Sequence, residues 1–302
     1  MALSNDASTR SRQIGIVLLL TGAVLFSCKA IVIKLAYRYD ISSISLLGLR
    51  MAFALPFFLV IGTLRRERSA TYGRLGWRDL IIIVTLGLFG YYLASYTDFL
   101  GLQYLSAGME RLILFVYPTM VLLLQRIIFK TPIKPVQWVA TAVCYAGIGL
   151  AFSGSDFSVG NQFALGAALV FTSALTYSFF VIGSGYFAVK LGSVRFTSVA
   201  LTAASLGVLA HVYLSGNTLF GHPTAVYAYG LTLAIFCTVI PTYLVTEGIR
   251  RIGAGDAAIL GATGPVATIV LEYFVLGEHL NWVQAAGAVL VIVGVVLIGR
   301  SK

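Results

Sequence analysis

The sequence predicts an all-α integral membrane protein in which ten transmembrane helices form two repeats of five. Three observations support this fold class: an apolar composition, ten separate apolar runs, and an internal repeat over most of the chain. Of the 302 residues, 59% are apolar and only 11% are charged, and the mean hydropathy is +0.92. A soluble globular protein averages about 45–50% apolar and about 25% charged residues. The composition therefore excludes one or two soluble domains.

The ten apolar runs are separated by polar or basic stretches, and each is near the roughly 20 residues that a helix needs to cross a bilayer. Ten spans of about 22 residues leave room only for two tails and nine short connections. The sixth run is the longest, so it can tilt or extend past the bilayer. In chain order the predicted spans are 13–34, 43–64, 79–98, 105–128, 136–153, 162–189, 195–214, 224–249, 254–276 and 282–299.

The distribution of Lys and Arg sets the orientation of these spans. If the N-terminus is cytoplasmic, 16 of the 21 basic residues fall at cytoplasmic positions, which are the two tails, the cytoplasmic connections and the cytoplasmic ends of spans. The connections around 153–161 and 215–224 contain neither Lys nor Arg. Basic residues concentrate on the cytoplasmic side, so both termini are predicted to be cytoplasmic in a cell (inner or plasma) membrane. This placement also accounts for the net charge of +10 without a nucleic-acid partner.

An internal repeat relates the two halves of the chain. An ungapped shift of 147 residues aligns much of the first half with the second, and a shift of 151 aligns the region near the N-terminus. The matched positions are Tyr96 with Tyr243, Ala107-Gly108 with Ala254-Gly255, Pro118 with Pro265, Val136-Gln137 with Val283-Gln284, Gly147 with Gly294, and Phe26-Ser27 with Tyr177-Ser178.

The repeat predicts two domains, 1–153 and 154–302, with five spans each. Five is an odd number, so the two copies must lie upside down relative to each other in the membrane. Inverted repeats are typical of secondary transporters, in which the substrate binds between the repeats near the middle of the membrane. The alternative is a duplicated membrane scaffold that transports nothing.

These features resemble the drug/metabolite transporter superfamily, and the chain is similar to EamA-type exporters over nearly its whole length. The residues that carry the resemblance are Arg50 in the second span, the segment Ser106-Ala107-Gly108…Tyr117-Pro118, and its echo Gly253-Ala254-Gly255…Gly264-Pro265. The stretch from Ala107 to Leu112 and the aromatic richness are most similar to the exporters of aromatic amino acids and methyl viologen (YddG-like). The resemblance implies a central cavity surrounded by spans 1–4 and 6–9, with spans 5 and 10 packed beside it.

Aromatic side chains are the first candidates for lining such a cavity. Four of them recur in the third span at spacings of three, four and three residues, which places them on one face of an α-helix. A tyrosine ring can stack on a solute or attract a cation while its hydroxyl keeps a polar partner. The alternative is an aromatic belt at the membrane interface. The candidates are Phe89, Tyr92, Tyr96 and Phe99 on this face, with Tyr117, Tyr177 and Tyr243 from other spans.

Two basic residues inside spans are further candidates for substrate binding. Arg50 lies about eight residues inside span 2, some 12 Å deep at 1.5 Å per residue. A buried arginine is costly and indicates function when a partner is at hand, and the predicted partners are Asp98 and Glu110. The alternative for Arg50 is a structural ion pair between helices. Lys29 lies nearer the outside, where its side chain can also snorkel to the interface.

The acidic residues bear on how transport is energised. Glu110, Glu247, Asp256 and Glu272 all fall near the ends of predicted spans. Proton-coupled multidrug exporters commonly rely on a carboxylate in the middle of the membrane. The sequence therefore favours facilitated diffusion over obligatory proton antiport.

Two repeat-equivalent prolines and two pairs of small residues predict how the helices bend and pack. Pro118 and Pro265 lie at the centres of spans 4 and 9, where each removes a backbone hydrogen bond. We expect them to be hinges for alternating access, with static kinks as the alternative. Small residues seven apart in spans 5 and 10 predict that these two spans pack together, with a homodimer face as the alternative; they are Ala140, Gly147, Gly287 and Gly294.

The function predicted from the sequence is export of small solutes, with aromatic or hydrophobic amino acids as the substrates, by alternating access of two inverted halves. The alternatives are a carrier of polar metabolites or cationic drugs from the same superfamily, and a scaffold that does not transport. No enzyme activity, metal or cofactor is predicted, because P-loop, HExxH and strand-linked dinucleotide signatures are missing from the sequence. The expected partners are the lipid bilayer and a small-molecule solute, with the protein as a monomer or a homodimer.

Overall fold

The computed structural model describes residues 2–64, 75–105, 107–153, 162–261, 263–276 and 282–300. Within these ranges the chain is helical apart from short connections, and it contains no strand. The first half contains α1 (Ala2–Tyr37), α2 (Ser43–Leu64), α3 (Trp77–Gly87), a π-helical segment (Leu88–Leu93), α4 (Ala94–Tyr104), α5 (Ala107–Leu114), α6 (Tyr117–Phe129) and α7 (Pro135–Ser153). The second half contains α8 (Phe163–Leu191), α9 (Ser193–Leu214), α10 (Thr224–Ala234), a second π-helical segment (Ile235–Val239), α11 (Ile240–Ile252), α12 (Ala254–Leu260), α13 (Thr263–Leu276) and α14 (Trp282–Arg300).

The predicted all-α membrane class agrees with these helices. Six helical segments of the described ranges are long and apolar enough to cross a bilayer: Thr9–Tyr37, Ser43–Leu64, Trp77–Tyr104, Phe163–Leu191, Ser193–Leu214 and Thr224–Ile252. Three shorter apolar helices lie within predicted spans 4, 5 and 10, namely Tyr117–Phe129, Pro135–Leu150 and Ala285–Leu297. The count of ten spans stays a prediction.

The fourth and ninth predicted spans differ from the sequence-based expectation of continuous helices. Each is broken into two shorter helices, after Leu114 in span 4 and after Leu260 in span 9. Pro118 lies in the first turn of α6, and Pro265 lies in the first turn of α13. A proline is tolerated in a first turn because that N–H has no partner within the helix. Each proline therefore begins the second helix of a broken span instead of kinking an intact one.

The helix bounds of the second half repeat those of the first half at the shift found in the sequence. Adding 147 to the residue numbers of α3 gives the bounds of α10, and adding 147 to those of α7 gives the bounds of α14. The first residues of the two π-helical segments are also 147 positions apart. The break after α5 likewise corresponds to the break after α12. The internal repeat is therefore a repeat of backbone structure, including both of its irregular features.

The packing between the halves is reciprocal. Helix α4 packs against α8, and α11 packs against α1. A Cβ atom added to Gly101 of α4 would lie 3.2 Å from the carbonyl oxygen of Gly166, and one added to Gly248 of α11 would lie 3.0 Å from that of Gly15. Gly101 and Gly248 are 147 residues apart, and Gly15 and Gly166 are 151 apart. The same close contact is thus formed twice, with the two halves exchanged.

Helices α7 and α14 form a pair of their own. A Cβ atom on Gly147 would lie 2.7 Å from the carbonyl oxygen of Gly287, so the two backbones approach closely. The thiol of Cys144 donates to the carbonyl of Val291 with an Sγ–O distance of 3.9 Å. The prediction that spans 5 and 10 pack together through small residues is confirmed.

Candidate functional site

A cavity of about 130 Å³ lies between the two halves of the bundle. A cavity of about 150 Å³ can hold a benzene-sized group, so this one is on the scale of a small aromatic ring. Its lining combines basic, aromatic and small residues: Leu19, Ala23, Phe26 and Lys29 from α1, Arg50 from α2, Tyr91, Ala94 and Ser95 around the first π-helical segment, Arg111, Leu114, Phe115 and Tyr117 from the broken fourth span, Ser173 and Tyr177 from α8, and Val245, Ala257, Gly261 and Gly264 from the second half.

Arg50 is the most buried charged group at this cavity, with 1% of the residue exposed. Its Nε donates to the Thr238 hydroxyl at 2.6 Å, and its Nη2 donates to the Tyr91 hydroxyl at 3.0 Å. The guanidinium carbon lies 5.7 Å from the ring centroid of Tyr91 and 5.5 Å from that of Phe99. Its Nη1 has no hydrogen-bond partner among the described residues. Arg50 therefore lines the cavity and keeps one guanidinium nitrogen without a hydrogen-bond partner among the described residues.

The two π-helical segments supply the residues that hold Arg50. Tyr91 belongs to the first segment and Thr238 to the second, and the two positions are 147 residues apart. π-Helical turns often occur at functional sites because they redirect side chains. One guanidinium thus joins equivalent positions of the two halves.

Four charged residues form a cluster beside the cavity, which we call the charge cluster: the buried Asp98, Glu110 and Arg111 and the half-buried Lys29. The ammonium of Lys29 lies 2.5 Å from Oδ2 of Asp98, which is 1% exposed. Nε of Arg111 lies 3.2 Å from Oε2 of Glu110, which is fully buried. Nη2 of Arg111 donates to the carbonyl of Phe26 at 3.0 Å. Both cations of the cluster also line the cavity, so they connect the carboxylates to it.

Arg50 and the four residues of the charge cluster all come from the first half. At the 147-residue shift, Asp98 corresponds to Val245, Glu110 to Ala257 and Arg111 to Ala258. Val245 and Ala257 line the same cavity. The charged side chains in the cavity lining therefore come from the first half, whereas the second half contributes apolar residues at the positions equivalent to Asp98 and Glu110.

The aromatic side chains at the cavity form a connected group. The rings of Tyr117 and Tyr177 meet edge to face, with centroids 5.6 Å apart. The Tyr117 ring is also 6.1 Å from that of Phe115, and its hydroxyl donates to the carbonyl of Ala258 at 3.0 Å. This hydrogen bond fixes the ring against the second half and leaves its apolar part available at the cavity.

The structure brings four of the sequence-predicted residues to the cavity lining: Lys29, Arg50, Tyr117 and Tyr177. Tyr92 and Tyr96 instead contact His211 of α9: the Tyr92 hydroxyl lies 2.9 Å from its Nδ1, and the Tyr96 ring centroid lies 4.7 Å from that of the imidazole. Tyr243 is hydrogen-bonded to Ser198 at 2.8 Å.

The other two aromatic candidates also lie outside the cavity lining. Phe89 is 61% exposed on the outer surface of the bundle, whereas Phe99 is fully buried beneath the guanidinium of Arg50. The first π-helical segment explains this pattern. It hydrogen-bonds residue i to i+5, so a face drawn at α-helical spacing is displaced by about one residue there. Tyr91 consequently occupies the inward position that the sequence reading assigned to its neighbour Tyr92.

The predicted ion pairs of Arg50 require a correction. Arg50 contacts neither Asp98 nor Glu110, because Lys29 and Arg111 occupy those carboxylates. Arg111 joins Lys29 and Arg50 at the cavity, so the cavity has three basic residues where the sequence reading expected one or two. The two carboxylates near span ends are also fully buried in the bundle, which position along the chain alone does not reveal.

Comparison with known proteins places the chain in a family. The model of the EamA-like transporter family matches residues 13–153 and again residues 164–300. The uncharacterized transporter YcbK of Bacillus subtilis (strain 168) is 30% identical over 292 residues, which cover 95% of this chain and 93% of that protein. An uncharacterized transporter of Archaeoglobus fulgidus is 25% identical over 272 residues, covering 89% of this chain and 93% of that protein.

A solved crystal structure of a protein with 17% sequence identity matches with a TM-score of 0.73, covering 94% of this chain and 95% of that chain. This likeness shows a shared fold. Together with the family match, it leads to one conclusion: the chain is a multi-pass membrane transporter and belongs to the EamA-like transporter family of the drug/metabolite transporter superfamily.

Proposed function

We propose that the protein exports small aromatic carboxylates, aromatic amino acids among them, by alternating access of two inverted halves. The observation that carries this proposal is the cavity in which three basic residues face an aromatic group. Lys29, Arg50 and Arg111 suit a carboxylate, and Tyr117 and Tyr177 suit a ring.

Arg50 has a hydrogen-bond donor for the carboxylate group of the solute. Nη1 of Arg50 is buried and lacks a partner among the described residues. An unsatisfied buried donor is costly, and hydrogen bonds to charged groups are worth about 1.5–3 kcal/mol. A carboxylate is a good partner for the forked guanidinium geometry. A bound carboxylate would therefore satisfy Arg50 without displacing Tyr91 or Thr238.

The ring end of the solute has an edge-to-face partner. Aromatic pairs gain about 0.5–1.5 kcal/mol beyond the burial of their area. Tyr117 and Tyr177 already form such a pair and line the cavity. A solute ring there would extend this arrangement to a third member.

The same cavity disfavours organic cations. Its lining has three basic side chains, and both acidic members of the charge cluster are already paired with two of them.

Arg111 also favours a second candidate, small polar anions that lack a ring. Nucleotide sugars fit poorly, because the cavity holds only about 130 Å³.

Alternating access is supported by the repeated backbone. The two halves share the π-helical segments and the broken spans, and they exchange equivalent contacts around the cavity. Inverted repeats of this kind let one half rock against the other around a fixed site. The outward direction follows from the resemblance to exporters.

Counterflow in proteoliposomes tests the substrate class. Vesicles loaded with unlabelled phenylalanine should take up labelled phenylalanine and labelled 3-phenylpropionate faster than leucine, with no uptake of methyl viologen. A matched control is Phe89→Ala, which alters an exposed aromatic outside the cavity and should leave the rates unchanged. Efflux from preloaded cells tests the direction. Preference for methyl viologen, or flux equal to that of empty vesicles for all solutes, would contradict the proposal.

A further inference from the structure

We propose that Glu110 is a proton-binding site, and that it takes up a proton when an organic anion occupies the cavity. This inference rests on the proposed function, because it names the ion that accompanies the solute. It is carried by the geometry of the charge cluster and by the two cations that this cluster shares with the cavity.

The first observation is the environment of Glu110. Its side chain is fully buried, and neither carboxylate oxygen accepts a hydrogen bond from the described residues. Arg111 is near, at 3.2 Å, but its Nε is not aligned for a hydrogen bond with the carboxylate. A buried ionised carboxylate without hydrogen-bond donors is costly, and binding a proton removes that cost.

The second observation is the neighbouring carboxyl group of Asp98. Asp98 and Glu110 interact with each other as neighbouring carboxyl groups, because they lie on consecutive helices, α4 and α5, that pack together. Two carboxyl groups can share a hydrogen bond only when one of them carries a proton. Asp98 forms an ion pair with Lys29 at 2.5 Å, while its Oδ1 has no partner among the described residues. A proton on Glu110 would supply the donor that Oδ1 lacks.

The third observation connects this site to the solute. Lys29 and Arg111 are the cations nearest the two carboxylates, and both line the cavity. A solute carboxylate placed among them adds negative charge and competes for their donors. Both effects favour the protonated form of Glu110. By linkage, a proton on Glu110 strengthens solute binding by the same factor.

The remaining groups around Glu110 are compatible with this role. The charged groups that face it are Lys29 and Lys34 from α1, Asp98 from α4 and Arg111 from its own helix. The ionisable groups that α7 and α8 direct toward this region are phenols, Tyr145 and Tyr177. The described side chains of α13 contribute no ionisable group.

The proposal sets the number of protons that move with each solute. A proton from solution binds a carboxylate oxygen of Glu110 as the anion enters, and it leaves to solution after the anion departs on the other side. A monocarboxylate anion would then move without net charge, whereas a zwitterionic amino acid would carry one positive charge. The outward gradient of the solute itself would drive this exit.

Calorimetry of the purified full-length protein tests the inference. Binding of 3-phenylpropionate is measured in two buffers of equal pH that differ in ionisation enthalpy, which gives the number of protons bound per solute. We expect net proton uptake, up to one per solute, and a dissociation constant that rises by as much as about tenfold per pH unit where uptake is full. Glu110→Gln should still bind the solute, with no proton uptake and no pH dependence. Asp79→Asn, which alters an ion pair with Lys190 away from the cavity, should behave as the parent protein.

The outcomes separate the two proposals. Binding of 3-phenylpropionate without proton uptake by the parent protein would overturn the role of Glu110 and leave the proposed function standing. Proton uptake by Glu110→Gln equal to that of the parent protein would also overturn the role of Glu110 and leave the proposed function standing. If Glu110→Gln fails to fold, the proton uptake of the parent protein is the deciding measurement. No binding of any aromatic carboxylate would overturn both.

Discussion

The guanidinium of Arg50 has two nitrogens with hydrogen-bond partners and, among the described residues, one without. The first two are committed to Tyr91 and Thr238, while Nη1 has no partner among the described residues. A buried arginine commonly neutralises a carboxylate, but here the carboxylates are paired with other cations. The residue type and the depth of Arg50 in its span could predict that this residue is important. Its partners could not be predicted, because they depend on how several helices pack against one another.

The first prediction concerns Arg50. Arg50→Lys keeps the charge but cannot form the two forked hydrogen bonds, so Tyr91 and Thr238 lose their partner. We expect the dissociation constant for 3-phenylpropionate to rise by at least about tenfold, because hydrogen bonds to charged groups are worth about 1.5–3 kcal/mol and each 1.4 kcal/mol is a factor of ten. Titration calorimetry measures the binding, and thermal unfolding shows whether the variant is folded. A folded variant with parental affinity would remove Arg50 from the site.

The second prediction concerns ring selectivity. Tyr177→Leu removes an edge-to-face partner at the cavity, so phenylalanine flux should fall by roughly two- to tenfold more than leucine flux. The sequence reading assigns this selectivity to Tyr96, which in the structure packs on His211. Tyr96→Ala is therefore the matched control, and it should lower both fluxes equally. A selective loss in Tyr96→Ala and none in Tyr177→Leu would restore the sequence-based assignment.

At the scale of the helices, the two irregular features lie at equivalent places in both halves. The π-helical segments position Tyr91 and Thr238 around Arg50, and the breaks before α6 and α13 bring Tyr117 and Gly264 to the cavity. Irregular backbone inside a membrane is tolerated where it lines a cavity. These four interruptions therefore occur where the helices approach the cavity.

Much of this architecture could be predicted from the sequence, and the reason for each failure is physical. Hydropathy found the apolar runs, and the 147-residue shift found a repeat that the helix bounds reproduce. The small residues correctly predicted that α7 and α14 pack together. The π-helical segments have no composition of their own, so α-helical spacing selected Tyr92 instead of Tyr91. The pairing of Lys29 with Asp98 joins residues 69 positions apart and depends on the packing of α1 against α4.

The third prediction concerns the break between α5 and α6. Pro118→Ala supplies an N–H that can bond to the carbonyl of Leu114, which would extend α5 through the break. We expect slower counterflow with an unchanged yield of folded protein, because no void is created. Pro56→Ala, at an exposed position within α2, is the control and should leave the rate unchanged. Equal rates for both variants would mean that the break is static.

At the scale of the whole molecule, the relationship between the two halves predicts their relative direction in the membrane. The family model matches the chain twice, and the glycine contacts are reciprocal. The distribution of basic residues predicts that equivalent helices begin on opposite sides of the membrane. The orientation predicted from the sequence places Ser155 and Ser215 outside the cell and Ser69 and Ser301 inside. Of these, Ser69, Ser155 and Ser301 lie outside the described residues, and Ser215 is the C-cap residue of α9.

The fourth prediction uses a repeat-equivalent pair for this purpose. Trp77 and Thr224 are 147 residues apart, both are exposed, and each is the first residue of its helix. With Cys28, Cys144 and Cys237 replaced, an impermeant thiol reagent added to intact cells should label Thr224→Cys and spare Trp77→Cys. Permeabilised cells should show labelling of both. Labelling of both in intact cells would mean that the halves are parallel.

The position of Arg50 has a consequence for the cycle of the transporter. Helices α2 and α9 are each 22 residues long, and the eighth residue is Arg50 in one and Ala200 in the other. Ala200 is fully buried, so an arginine there would add a second, unpaired charge to the interior, which is costly. A duplicated single chain can keep one guanidinium and replace its twin by a methyl group. The inward-open and outward-open arrangements are then no longer equivalent in energy, so we expect the empty protein to rest on one side and to pass solute at different speeds in the two directions.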